Sequence, residues 1–364
     1  MKGKRYFFVD LFRGWAVLFM VETHVVNAWM DAGLRSSTWF SYLNLLNGFV
    51  APSFLFIAGV SFAIVSKTKW KEMTTLSKPL ARQVRRLLMI LGIGYLLHFP
   101  RIEWVGLVPR IFQEDLKDFY QVDILQTIAV SLLVLHVLQY VIRQRTALIG
   151  IVTVVTLAAL FFTPMFWKID FSSTLHPALA NYLNGLNNPL FPLFPWSVFL
   201  LAGSLTGFFF LDNAEYDREP RAIAALSVCG GLLFVLAWIA DRIPFTFFEY
   251  DSFWLTSPNW VLMRLGILLV IFSLFWILEI KGWHKSKAVL VIGSQSLFAY
   301  VLHLWLIYSI TGEKSSLHLF DQNNPIWLTL LLLVFLLIVV YYLTVGWGLL
   351  KKTLKNRKRS IEIG

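Results

Sequence analysis

Apolar runs of roughly twenty residues alternate along this chain with short polar segments, and that is the length a helix needs to cross about 30 Å of hydrocarbon. Ten such runs are legible, at 8–30, 42–65, 84–100, 122–142, 146–166, 190–211, 221–240, 259–279, 288–311 and 325–349. They predict an all-α, polytopic membrane helix bundle of about ten transmembrane helices. The polar stretches between them are short, so residues 1–364 are expected to form a single transmembrane domain. The basic N-terminus has no small-residue cleavage site behind a clean apolar core, so the first run reads as a retained helix. Residues 101–121, rich in aromatics, are expected as an amphipathic interfacial helix. Residues 167–189, rich in Asn, Gly and Pro, are expected as an ordered loop or lid.

Composition agrees with the pattern: 57% of residues are hydrophobic and 15% charged, against about 25% charged in soluble domains. With the N-terminus inside, alternate connections become cytoplasmic, and most of the 32 Lys and Arg fall in them. The positive-inside rule then puts both termini in the cytoplasm. The net charge of +11 reflects this bias, and nucleic acid is not an expected partner. Short loops suit a bacterial inner membrane. The single cysteine, Cys229, excludes a disulfide within the chain and reads as a helix-packing residue.

Against this apolar background, polar side chains inside the spans stand out, because each costs free energy in hydrocarbon. The first run holds Asp10, Arg13, Glu22 and His24. Counted along outward-running helices, His24 and His303 fall at similar depth. Asp123 and Gln126 open the fourth run, Arg264 lies in the first turns of the eighth, and Asn27 follows His24. An imidazole can serve as general base or carry an acyl group, with a carboxylate setting its tautomer. His24, His303 and Asp123 are therefore candidate catalytic residues, and Arg264, Gln126 and Asn27 candidate substrate contacts. Helix packing is the plain alternative for each, and Asp123 and Arg264 are equally suited to pair near the interface. Glu22 is on a different face from His24. No histidine spacing suggests a metal site.

At the inner side, Asp10 and Arg13 are one turn apart, while Arg82 and Arg85 share a face at the mouth of the third run. Arginines so grouped can fork onto phosphate, or they can anchor the chain to anionic lipid. Pro52, Pro192 and Pro195 mark backbone breaks, and Gly203-x-x-x-Gly207 is a close-packing signature.

The segments VDLFRGWAVLFMVETH, APSFLFIAGVSFAI, VDILQTIAV, FPWSVFLLAGSLTG and SLFAYVLHLW, in that order, resemble the heparan-α-glucosaminide N-acetyltransferase-like family, related to the wider group of transmembrane acyltransferases. The resemblance implies acyl-CoA bound from the cytoplasm and an acyl group handed to a sugar on the far side. The family's first-helix Arg and His map onto Arg13 and His24, and the wider group's R-x-x-R motif onto Arg82 and Arg85. Where some relatives carry further polar residues after the first helix, this chain has only Asp31, Arg35 and hydroxyls. Covalent acyl-histidine and direct transfer therefore both remain open.

The expected activity is transfer of an acetyl or acyl group from cytoplasmic acyl-CoA to a sugar or glycan at the outer face. Asp10, Arg13, Arg82 and Arg85 would hold the donor, and no metal is expected. The bilayer and the two substrates are the expected partners, with homodimerisation open. A secondary transporter for a small polar solute is the rival reading, although the two halves show no convincing inverted repeat.

Overall fold

Side chains decide where each apolar run becomes helix in the computed structural model, which describes residues 5–99, 102–105, 108–111, 117–187, 189–243, 252–282, 287–308 and 324–363. Each of the ten predicted runs contains helix among its described residues. Among those residues, seven helices are long and apolar enough to cross a membrane, and a bent pair makes an eighth if taken as one span. The helices of the first and third runs are not among the seven. Both carry several charged side chains, including Asp10, Arg13 and Glu22 in one and Arg82, Arg85 and Arg86 in the other. The chain forms two compact units, residues 51–274 and residues 5–50 with 275–363.

In the first unit, α3 (Val50–Thr68), α4 (Lys78–Leu97), α5 (Ile124–Ile142), α6 (Arg145–Phe166), α8 (Leu193–Ala214) and α9 (Glu219–Ala240) are the long helices. A shorter helix, α7 (Pro177–Leu183), precedes α8, and α10 (Pro258–Ile280) begins in this unit. Helix α8 is the most enclosed, burying Val198, Phe199, Leu200, Phe208 and Phe210 among others. Small residues let its backbone approach α3. A Cβ at Gly203 would collide with the Phe56 carbonyl, one at Gly59 with the Leu200 carbonyl, and one at Gly207 with Ala63. The Gly203/Gly207 spacing is thus a packing seam. Helices α9 and α10 meet through Gly230 and Gly266 in the same way.

The breaks follow the prolines. Pro52 sits in the first turn of α3, where its missing N–H costs nothing. Pro192 precedes α8, and Phe194 is non-helical, so regular helix starts at Pro195. The Ser66 hydroxyl donates to Gln139 Oε1 at 3.1 Å, joining α3 to α5. Lys67 Nζ, at the end of α3, lies 2.9 Å from Asp212 and 3.0 Å from Glu215. Arg145 also pairs with Asp212.

Two expectations need correction here. Within the expected interfacial helix 101–121, β1 (Ile102–Val105) pairs antiparallel with β2 (Val108–Ile111), in the register Ile102↔Ile111 and Val105↔Val108, and among the described residues only 117–119 are helical. The β-branched and aromatic residues of β1 and β2 favour extended backbone, and the amphipathic pattern did not distinguish helix from strand. Cys229 is exposed, not packed. The expected ordered loop at 167–189 does hold structure, a 3₁₀ turn at Phe171–Ser173 and then α7. Asn184 Nδ2 ties it back by donating to the Phe166 and Ile169 carbonyls.

The second unit contains α1 (Phe7–Trp29), a 3₁₀ turn Ala32–Ser36, α2 (Thr38–Asn47), the end of α10, α11 (Lys287–Ser294), α12 (Ser296–Tyr308) and α13 (Ile326–Ile363). Helix α11 lies against α1 at Gly14 and Gly293, the latter so close that a Cβ would strike the Asp10 carbonyl. The Phe8 N–H donates to Glu279 Oε2 at 2.6 Å, which satisfies one orphan donor at the start of α1. At the other end, Asn324 Nδ2 donates to the Trp29 carbonyl at 2.8 Å. Phe298 stacks on Trp347 at 4.9 Å, and Lys351 Nζ donates to Gln295 at 2.8 Å. Helix α13 therefore runs antiparallel to α1. Helices α11 and α12 meet at 87°.

Large apolar side chains are also displayed outward: Leu232, Val235 and Leu236 on α9, and Leu331, Val334 and Phe335 on α13 are all exposed. Apolar display on this scale is what a hydrocarbon solvent permits and water does not. The chain is a multi-pass helical membrane protein.

Candidate functional site

Helix α1 carries its polar residues at two levels. In its first turns Asp10 accepts from Arg5 Nη2 at 2.8 Å and lies 3.6 Å from Arg13 Nη1. Asp10 and Arg13 side chains are mostly covered, at 15% and 22% exposure. His24 follows fourteen residues later, about 21 Å along the axis at 1.5 Å per residue.

At that second level the depth argument put His24 and His303 together, and their rings lie 5.2 Å apart at 49°. His303 is fully buried, and its Nδ1 lies 3.0 Å from the Ala299 carbonyl. A carbonyl only accepts, so Nδ1 carries the proton and Nε2 holds the lone pair. That Nε2 is shut off from solvent with no hydrogen bond. Leaving a buried acceptor unmatched costs about 1–3 kcal/mol, and the cost is recovered when a hydroxyl or amine donates to it.

Two residues at this level were not singled out in the sequence. The Tyr308 hydroxyl, at the end of α12, lies 3.2 Å from His24 Nδ1. Arg35, noted only as a residue of the first loop, donates from Nη2 to the Asn27 carbonyl at 2.8 Å. The available signal was a tyrosine five residues beyond His303 in the same run. Asn27 is exposed, and its carbonyl is the atom that meets Arg35. The carboxylate oxygens of Glu22 are closed off from solvent beside Asn47.

The remaining candidates lie in the first unit. Asp123 is buried and caps α5, its carboxylate accepting the Ile124 N–H at 2.6 Å. Capping gives it a structural duty independent of chemistry. Gln126 is fully buried against Gly94, where a Cβ would meet its amide, and its Oε1 has no hydrogen bond. Arg264 is buried with its guanidinium over the Trp260 ring, 4.3 Å from the centroid. Trp260 in turn meets Trp196 edge-on at 5.4 Å. Arg82 and Arg85 on α4 are exposed, and no ion pair among the described residues engages them.

A cleft of about 340 Å³ opens among α5, α6 and α8, lined by Val134, Val155, Phe162, Phe194 and their apolar neighbours. It offers hydrocarbon contacts and nothing that would hold a charged donor. Among the described residues, no group of three His, Cys, Asp or Glu side chains is arranged to hold a metal ion.

The arrangement places two imidazoles side by side at one level of α1 and an Arg–Asp pair at another. Comparison with curated proteins gives no match. Comparison with protein families gives one, the catalytic region of heparan-alpha-glucosaminide N-acetyltransferase, over residues 5–240. That match spans well over half of the chain and takes in Asp10, Arg13, His24, Arg82, Arg85, Asp123 and Gln126, leaving Arg264 and His303 beyond its end. The chain thus belongs to the heparan-alpha-glucosaminide N-acetyltransferase catalytic family, a family of transmembrane acetyltransferases.

Proposed function

We propose that this protein moves an acetyl or other acyl group from cytoplasmic acyl-CoA to a hydroxyl or amine of a sugar or glycan at the outer face. The observation that carries this reading is the His24–His303 pair, 5.2 Å apart, on the same helix as the Asp10–Arg13 pair but a long way from it. Arg13, positioned by Asp10, meets the donor's phosphates together with Arg82 and Arg85. His24 takes the acceptor's proton, or carries the acyl group transiently, and His303 and Asp123 assist it. Arg264, Gln126 and Asn27 contact the acceptor. In direct transfer, the acceptor oxygen or nitrogen bonds to the thioester carbon and the carbon–sulfur bond breaks. The proton held on His24 then passes to the departing thiolate.

The topology that goes with this function has ten crossings, with both termini in the cytoplasm and a bacterial inner membrane as the setting. The protein works alone or as a homodimer. The test is transfer of radiolabelled acetyl from acetyl-CoA to glycan in membranes. Expected is transfer by the wild type, and loss of at least 100-fold in His24→Ala, the lower bound for a general base. Full transfer by His24→Ala would refute the assignment. Solute uptake in proteoliposomes without any acyl donor would refute the activity itself.

A further inference from the structure

We propose that Tyr308 is the positioning residue for His24: its hydroxyl oxygen accepts the Nδ1 proton and holds the imidazole in the tautomer whose Nε2 is basic. The proposal rests on the reading of His24 as the base.

The geometry brings the Tyr308 hydroxyl to 3.2 Å from Nδ1, with the two rings edge-on at 84° and 5.6 Å between centroids. A hydroxyl and an imidazole nitrogen can bond in either sense. The chemistry of the step chooses between them. Proton transfer generates an imidazolium, which donates from both nitrogens, so the group facing Nδ1 has to be an acceptor throughout. In the reverse sense the tyrosine proton would occupy the Nδ1 lone pair, and Nε2, already protonated, could not take another.

His303 does not fill this role, because its own Nδ1 is committed to Ala299. It stands beside His24 as a second acceptor. During transfer the substrate's O–H or N–H proton moves to His24 Nε2 as the new bond to the acyl carbon forms. Tyr308 keeps its own proton while it stabilises the Nδ1–H of the imidazolium. When the carbon–sulfur bond breaks, the thiolate takes the proton from Nε2 and the original tautomer returns.

Full-length protein labelled with ¹⁵N-histidine in lipid nanodiscs tests this directly. The His24 resonances are assigned by their disappearance in His24→Gln. The wild type is expected to read as the Nδ1–H tautomer, and Tyr308→Phe, which keeps the ring and loses the oxygen, as a mixture. In the acetyl-transfer assay Tyr308→Phe should lower kcat roughly tenfold, the equivalent of one neutral hydrogen bond, with KM for acetyl-CoA unchanged. A wild-type His24 found as the Nε2–H tautomer would overturn the proposal, whether or not the variant folds. So would a Tyr308→Phe variant with wild-type tautomer and wild-type kcat. The tautomer is read without turnover, so if the wild type transfers no acetyl, the proposed function fails while the positioning claim is still judged.

Discussion

Replacing Gly203 by Ala adds one methyl group at the closest approach of α3 and α8. The new Cβ would fall on the carbonyl oxygen, carbonyl carbon and Cα of Phe56. All three are backbone atoms, which cannot swing aside as a side chain can, so the helices themselves must part. Overpacking of this kind costs about 1–3 kcal/mol. Gly150 on α6 provides the control, because nothing lies within 4 Å of a Cβ built there. Ala in place of a helical Gly is worth about 0.5–1 kcal/mol in the favourable direction. Because the propensity gain applies at both sites, the two chemically identical substitutions should differ by about 1–3 kcal/mol in stability, the cost of the overpacking. Thermal unfolding of the purified proteins in one detergent, followed by tryptophan fluorescence, measures the difference. Gly203→Ala should melt several degrees below wild type and Gly150→Ala at or slightly above it. Equal melting temperatures would show that α3 and α8 do not meet at Gly203.

Asp212→Asn weakens the contacts to Lys67 and Arg145, but Asp212 is 40% exposed, so screening limits the loss to about 1–2 kcal/mol for the two pairs. The double variant with Lys67→Met should lose less than the sum of the single changes, measured as Tm. Glu22→Gln removes a charge enclosed beside Asn47 and should hold or raise Tm. A fall of several degrees would show that the carboxylate charge is engaged. Arg264→Gln removes the cation over Trp260, a contact worth about 2 kcal/mol when desolvated. It should lower Tm and shift the tryptophan emission, whereas no spectral change would place the guanidinium elsewhere.

The helices were legible because hydrocarbon demands long apolar runs, and each of the ten runs contains one. What the runs did not reveal was how charge alters a span: α1 and α4 are helical yet are not among the seven apolar enough to cross unaided. The pairing of 102–105 with 108–111 was missed because aromatic and β-branched residues satisfy an amphipathic helix count as well as a strand. Counting residues from the span ends paired His24 with His303, although the ninth run is not one regular helix but bends by 87° between α11 and α12. It could not find Tyr308, whose meeting with His24 depends on the direction of α12 after the bend. Nor could it reveal that Asp123 caps its helix, because a cap and a catalytic carboxylate look alike at a span start.

The 87° bend between α11 and α12 changes the route to His303. Measured along α12 from Ser296, His303 is about 10 Å away at 1.5 Å per residue, whereas His24 is about 21 Å along α1 from Asp10. A donor entering at the bend would have the shorter path to the paired imidazoles.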